Sequence, residues 1–142
     1  MLDLSSQASA PRQMAFDHMR QAFLHSGGLL DADELAHKQA QRLSNGLGAV
    51  ARWIVLRRIV SIPWGGGYWI PCFQFAQPSF VLRASLAGVL DELNPVMDDW
   101  ELAGWFAMAN DLLDGACPAC ALGHSPLDVR DAARAHRFAV CG

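Results

Sequence analysis

Along most of this chain, apolar residues recur three and four positions apart, the spacing of one helix face. In one short stretch they do not. Ile59-Val60-Ser61-Ile62 and Tyr68-Trp69-Ile70 are β-prone runs, separated by Pro63-Trp64 and by Gly65-Gly66-Gly67. The glycines supply the positive φ angles of a tight hairpin. Pro63 and Pro71 lack N–H donors and so suit an edge ribbon, not a central strand. A chain with one such interruption is expected to be mainly α with a small β-hairpin.

The segments around the hairpin carry helix signals. The first ten residues read as a frayed start, and Pro11 suits a first helical turn. Phe16, Met19 and Phe23 then repeat at helical spacing until Gly27-Gly28 stops them. Asp31 and Glu34 stand in capping-box position, with Leu30 and Leu35 placed as a hydrophobic staple. They open a helix over about residues 32–43, striped by Leu35, Ala36, Ala40 and Leu43. Ser44-Asn45-Gly46 is turn chemistry, and a third helix follows with Leu47, Val50, Ala51 and Ile54 on one face. Helix, short turn, helix and trailing hairpin outline a degenerate helix-turn-helix with a wing.

Gln77-Pro78-Ser79 marks a module boundary. Beyond it, Leu82, Leu86, Val89, Leu90 and Leu93 predict a helix ending before Asn94-Pro95. Asp98 with Glu101 starts another helix, whose bulky face is Leu102, Trp105, Phe106 and Ala109. Asp111 to Gly123 is loop-rich, with Leu112 and Leu113 expected to be buried. Ser125-Pro126-Leu127-Asp128 combines a cap, an N1 proline and an acidic first turn, opening a last helix to about Arg137. The expected organisation is an N-terminal helix (1–28), a helix-turn-helix-like module with its hairpin wing (29–77), and a C-terminal helical bundle (78–142).

Composition narrows the class. Of 142 residues, 52% are hydrophobic and 18% charged, enough apolar material for a core and too little charge for intrinsic disorder. No apolar run approaches the roughly 20 residues of a membrane span. The N-terminus lacks a basic head followed by an apolar block, so a cytoplasmic protein with no membrane partner is expected. In that setting the four cysteines are expected as reduced thiols. Net charge is split: residues 1–82 carry seven Lys/Arg against five Asp/Glu, and residues 83–142 carry four against nine. Two faces with different partners would produce such a split.

Several segments resemble a known family. Val50-Ala51-Arg52-Trp53-Ile54-Val55, Arg58-Ile59-Val60-Ser61 and Pro71-Cys72-Phe73-Gln74-Phe75 resemble the N-terminal part of bacterial antitoxin-like proteins. Asp99-Trp100-Glu101-Leu102-Ala103-Gly104-Trp105-Phe106, Asn110, Leu113, Gly115, Pro118 and Ala132-Ala133-Arg134-Ala135 resemble the Xre/MbcA/ParS toxin-binding domain. The resemblance implies a helix-turn-helix region joined to helices that bind a toxin, often an NAD-degrading RES-type toxin. It also implies self-association, as a homodimer, and repression of the protein's own operon. Neutralisation would be steric, with Arg134 to Gly142 covering the partner's active site.

The residues themselves supply the candidate sites. Arg42, Arg52, Arg57 and Arg58 are the basic side chains a DNA-binding face would use. Gly46 to Ala49, however, offers almost no hydrogen-bonding group for base edges. Of the tryptophans, Trp53 and Trp105 belong to inward faces, whereas Trp64, Trp69 and Trp100 are candidate partner anchors, together with Arg134, Arg137 and Phe138. Cys117-Pro118-Ala119-Cys120 with His124, and Cys141 or His136 as a fourth ligand, can be drawn as a zinc site. Only the first pair has diagnostic spacing, so ordinary thiols are the expectation. No nucleophile elbow, phosphate loop or H-E-x-x-H motif is present. The expectation is a non-catalytic binding protein without a cofactor. The alternatives are a self-associating scaffold without DNA or toxin, and a small zinc or redox protein centred on Cys117 and Cys120.

Overall fold

The computed structural model describes residues 4–141, with side chains from residue 12 onward except at Leu47. It is mostly helical with a small antiparallel sheet. Helix α1 (Leu4–Ala22) begins earlier than expected, so Pro11 lies within it and not in its first turn. Residues 1–3, the outermost part of the expected frayed start, lie outside the described residues. Phe16 and Phe23 are buried. A 3-10 turn, Leu24–Ser26, and the positive φ angles of Gly27 and Gly28 end the run where the glycines predicted.

Strand β1 (Leu29–Asp31) was not expected. Three residues carry no readable period, and the strand exists only because β3 (Gly67–Pro71) pairs with it, Leu29 opposite Pro71 and Asp31 opposite Trp69. The expected hairpin forms from β2 (Ile62–Trp64) and β3, with Gly65 and Gly66 at φ +63° and +80° making a two-residue turn. The sheet order is β1-β3-β2. Pro63 is therefore on an edge strand as expected, but Pro71 ends the central one, at a terminal position where its missing donor is tolerated.

Ile59, Val60 and Ser61 are buried but lie outside the ladder. A side chain takes the place of a strand partner there. Fully buried Gln74 accepts the Val60 N–H through Oε1 and donates through Nε2 to Val60 O (3.0 Å) and Pro71 O (2.9 Å).

Helix α2 (Ala32–Ala40) is capped by Asp31, which accepts the Asp33 N–H at 2.7 Å in place of the expected reciprocal bonding with Glu34. It stops short of residue 43, and in the turn beyond it Gln39 O accepts the N–H groups of both Arg42 (3.1 Å) and Leu43 (2.7 Å). Helix α3 (Gly46–Val55) packs directly against α2. A Cβ at Gly46 would overlap the backbone of Gln39 and Ala40, so only glycine permits this approach. The buried side of α3 is Ala49 and Val50, with Ala51 exposed, so the face is rotated by one position from the expected one. The expected apolar role of Leu47 lies outside the described residues.

Gln77-Pro78 falls in the turn between β4 (Phe75–Ala76) and β5 (Val81–Leu82), which pair antiparallel. The expected module boundary is therefore the tip of a hairpin, tied to α2 by Gln39 Nε2 donating to Phe80 O at 2.9 Å. Because Leu82 is in β5, helix α4 starts later than its stripe suggested, spanning Leu86–Leu93. Helix α5 (Asp99–Ala107) has the complete capping box, with the Glu101 N–H donating to Asp98 Oδ1 at 2.8 Å and the Asp98 N–H to Glu101 Oε1 at 3.0 Å. A 3-10 turn (Asp111–Leu113) follows, then α6 (Pro118–Ala121) and α7 (Pro126–Cys141), about one turn longer than expected.

One apolar core draws on all three expected segments, from Phe16 to Ala133. Phe73 bridges them, 5.9 Å from the Phe23 ring in centroid distance and 4.8 Å from the Phe106 ring. No helix among the described residues is long and apolar enough to cross a membrane.

Candidate functional site

The basic residues expected to face DNA do different jobs. Arg52 is exposed on α3, where its neighbours toward solvent are Ala51, Val55 (79% exposed) and Leu56 (59%). Arg42 is exposed and donates to Gln39 Oε1 at 3.3 Å, beside the turn that carries Pro78 and Phe80. Arg58 lies 3.8 Å from Asp91. Arg57 is turned inward. Its guanidinium donates to Asp99 Oδ1 (3.2 Å), Asn94 O (3.1 Å) and Met97 O (2.9 Å), so it locks the α4–α5 connection and is unavailable to a phosphate. Arg57 also takes a positive φ of 53°, ending α3. No sequence pattern marks this role, because its partners lie in a different helix connection.

At the C-terminal end, α7 lies along α4. Arg134 Nε and Arg137 Nη1 both donate to Glu92, at 3.2 and 3.1 Å. Partial burial pushes the Glu92 carboxyl up, but the two guanidiniums outweigh it and hold it below its ordinary range. Arg134 and Arg137 therefore position α7, and they wall a shallow hollow with Phe138 and Cys141. Phe138 (69% exposed) and Val140 (58%) project beyond them. The expected partner-binding residues of this helix thus gather on one surface, with Glu92 as the anchor the sequence reading missed.

On the other side of α7 a groove of about 450 Å³ runs between it and the end of α5. Trp105, Ala132, Ala135, His136 and Ala139 line it, and Met108 and Leu112 form its rim. Leu112 was expected to be buried. It is 65% exposed, and Met108 68%, because the Asn110 side chain caps the 3-10 turn by accepting the Leu112 N–H at 2.9 Å and so presents that residue outward. Trp105 is half-buried, its ring edge-on to Phe106 at 5.0 Å.

The three nominated tryptophans are all half-buried and share one neighbourhood in part. Trp64 and Trp69 both meet Phe16 of α1, Trp64 stacked at 4.4 Å and Trp69 tilted at 5.6 Å. Trp100 joins from α5, its indole N–H donating to Pro63 O at 3.3 Å. Trp64 and Trp100 line a larger cleft under the hairpin tip, which Trp69 does not reach.

Neither family models, curated proteins nor solved structures give a match to the chain.

The cysteines depart from the expectation of four reduced thiols. Cys117 and Cys120 form a disulfide, with Cys117 as the N-cap of α6 and its sulfur accepting the Cys120 N–H at 3.2 Å. Cys72 is buried and Cys141 exposed, both free. Burial raises the Cys72 thiol above its usual range, against a smaller opposing effect of Lys38, which leaves it a poor nucleophile. His124 is exposed. Among the described residues no group of three or more His, Cys, Asp or Glu is placed to hold a metal ion.

Proposed function

We propose that the protein is a non-catalytic, antitoxin-like binding protein whose C-terminal half docks a protein partner through α7 and the end of α5. The observation that carries this reading is the apolar groove between α7 and the end of α5, where exposed Met108 and Leu112 stand beside Ala109, Ala132, Ala135 and Ala139, with exposed Phe138 at the separate hollow on the other side of α7. Contiguous apolar exposure beside well-packed helices is the hallmark of an interaction surface. The surface coincides with the segments that resemble a toxin-binding domain, and the partner expected from that resemblance is a RES-type toxin. Because α7 is held by Glu92, its exposed end is presented as a rigid wall, which lowers the ordering penalty of docking.

The N-terminal half supports this as a platform. The order α1–β1–α2–α3–β2–β3 with strands arranged β1-β3-β2 is consistent with a winged helix-turn-helix. What α3 offers to solvent favours protein over DNA: one arginine among Ala51, Val55 and Leu56 is a poor phosphate-clamping face. We therefore assign this face to self-association as a homodimer, with DNA recognition subordinate to it.

The test is co-expression with a RES-type toxin encoded beside the gene, with cellular NAD and growth as readouts. Leu112→Asp and Phe138→Asp, both on exposed positions, are expected to abolish protection while leaving the melting temperature unchanged. Protection unaffected by both substitutions would overturn the assignment of the surface. Light scattering completes the test: the Val55→Asp/Leu56→Asp double variant is expected to be monomeric where the parent is dimeric.

A further inference from the structure

The cleft under the hairpin tip takes no part in the α5–α7 surface. It has a volume of about 940 Å³, near the upper end of the range of about 300–1,000 Å³ in which small-molecule sites fall. Its walls combine the aromatic residues Trp64 and Trp100 with the glycine turn, with Tyr68 beside that turn, and with Arg12 and Gln13 of α1. Two of the rings are fixed before any ligand arrives. Trp64 is stacked on Phe16 with an interplanar angle of 11°, and Trp100 is held by its hydrogen bond to Pro63 O. Tyr68 is 44% exposed.

The third glycine of the turn is informative. Gly65 and Gly66 need their positive φ angles, but Gly67 is outside that region, and a Cβ built on it would meet nothing within 4 Å. Neither turn geometry nor packing within the chain therefore calls for glycine at this strand position, where it weakens the strand. A side chain at Gly67 would stand in open space beside the cleft that this residue lines.

Charge selects the occupant. Among the described residues, Arg12 is the charged one on the walls and no carboxylate lines them. The acids near Trp100 have partners of their own: Asp99 pairs with Arg57, and Asp98 and Glu101 close the capping box. A cationic ligand, which an aromatic cage would otherwise suit, finds no counter-charge among the described residues of the walls. A proline-rich peptide would rely on ring N–H donors aimed at its carbonyls, and that of Trp100 is already engaged. A flat ring carrying an anion matches both features, the base against the aromatic walls and the phosphate at Arg12. We propose that this cleft binds an unstacked nucleotide of a single-stranded nucleic acid, with Trp64 and Trp100 taking the base and Arg12 the phosphate.

The experiment is fluorescence anisotropy of labelled (dT)8 with the full chain, with dTMP and an octaproline peptide as competitors. Saturable (dT)8 binding is expected, with Kd raised about tenfold or more by Gly67→Val and by Arg12→Glu. Arg12→Gln should also reduce the slope of log K against log salt by about 0.7, the signature of one lost phosphate contact on a single strand. Arg12 is exposed on a helix, so its variants test the site even if Gly67→Val disturbs the hairpin. Three results would each overturn the proposal. They are no saturable (dT)8 binding, binding that all the variants leave unchanged, and competition by dTMP as tight as by the octamer or by octaproline at all.

Discussion

Replacing Gln74 by leucine tests how the hairpin is held to the rest of the molecule. The side chain is fully buried and completes three backbone groups, the N–H and C=O of Val60 and the C=O of Pro71. Leucine leaves all three without a partner, at about 1–3 kcal/mol each. The apolar side chain recovers at most about 1.5–3 kcal/mol of transfer free energy. With the middle of each range, about 6 kcal/mol lost against about 2 recovered, the net loss is about 4 kcal/mol, out of a total stability of about 5–15 kcal/mol for a domain of this kind. At about 2–4 °C per kcal/mol for a chain of this size, the melting temperature should fall by about 8–16 °C. Urea unfolding should show a lower midpoint with an unchanged slope, because the folded state buries the same surface. Gln74→Glu sharpens the test. Its carboxylate still accepts the Val60 N–H but faces two carbonyl oxygens without a donor, so its folded-state pKa is raised. Its stability deficit against the parent should shrink as pH falls and protonation restores one donor. A Gln74→Leu protein within about 0.5 kcal/mol of the parent, the usual range for surface changes, would refute this account of the Ile59–Ser61 segment.

Glu92 is held below its ordinary pKa by Arg134 and Arg137, so its contribution is present above the usual carboxylate range and lost as pH falls through the lowered value. Acid unfolding followed by circular dichroism should therefore be shallower for Glu92→Gln than for the parent between about pH 5 and 3. Arg57→Ala should lose about 1–3 kcal/mol in urea unfolding, and Arg57→Lys should not restore it, since one ammonium cannot span Asp99, Asn94 O and Met97 O. Arg52→Ala, at an exposed position, should leave stability unchanged in the same assay. Cys120→Ser should lower stability by at most about 2 kcal/mol, because the loop it closes is very short, and the difference should vanish when the parent is measured with excess reductant.

Local chemistry was legible in this chain wherever one segment decides its own structure. The Asp98–Glu101 capping box, the Gly65-Gly66 turn, the Gly27-Gly28 stop and the start of α7 at Pro126 all appear where residue types predicted them, because each depends on neighbours a few positions away. The mainly helical class followed from the same short-range periodicity. Among the site residues, the outward Arg52 and Phe138 were within reach of the sequence, whereas the meeting of Trp64 and Trp100 at one cleft was not.

Tertiary structure decided everything that depends on a partner far along the chain. Strand β1 exists only opposite β3, and Pro71 ends a central strand because of that pairing. Arg57 points inward because two carbonyls and a carboxylate from the α4–α5 connection await it. Leu112 points outward because Asn110 turns the backbone there, and Glu92 gains its meaning only once α7 folds back onto α4. The physical reason is common to all of them. Helix and turn signals are carried by bonds between near neighbours, whereas burial, ion pairing and surface exposure are properties of the packed whole.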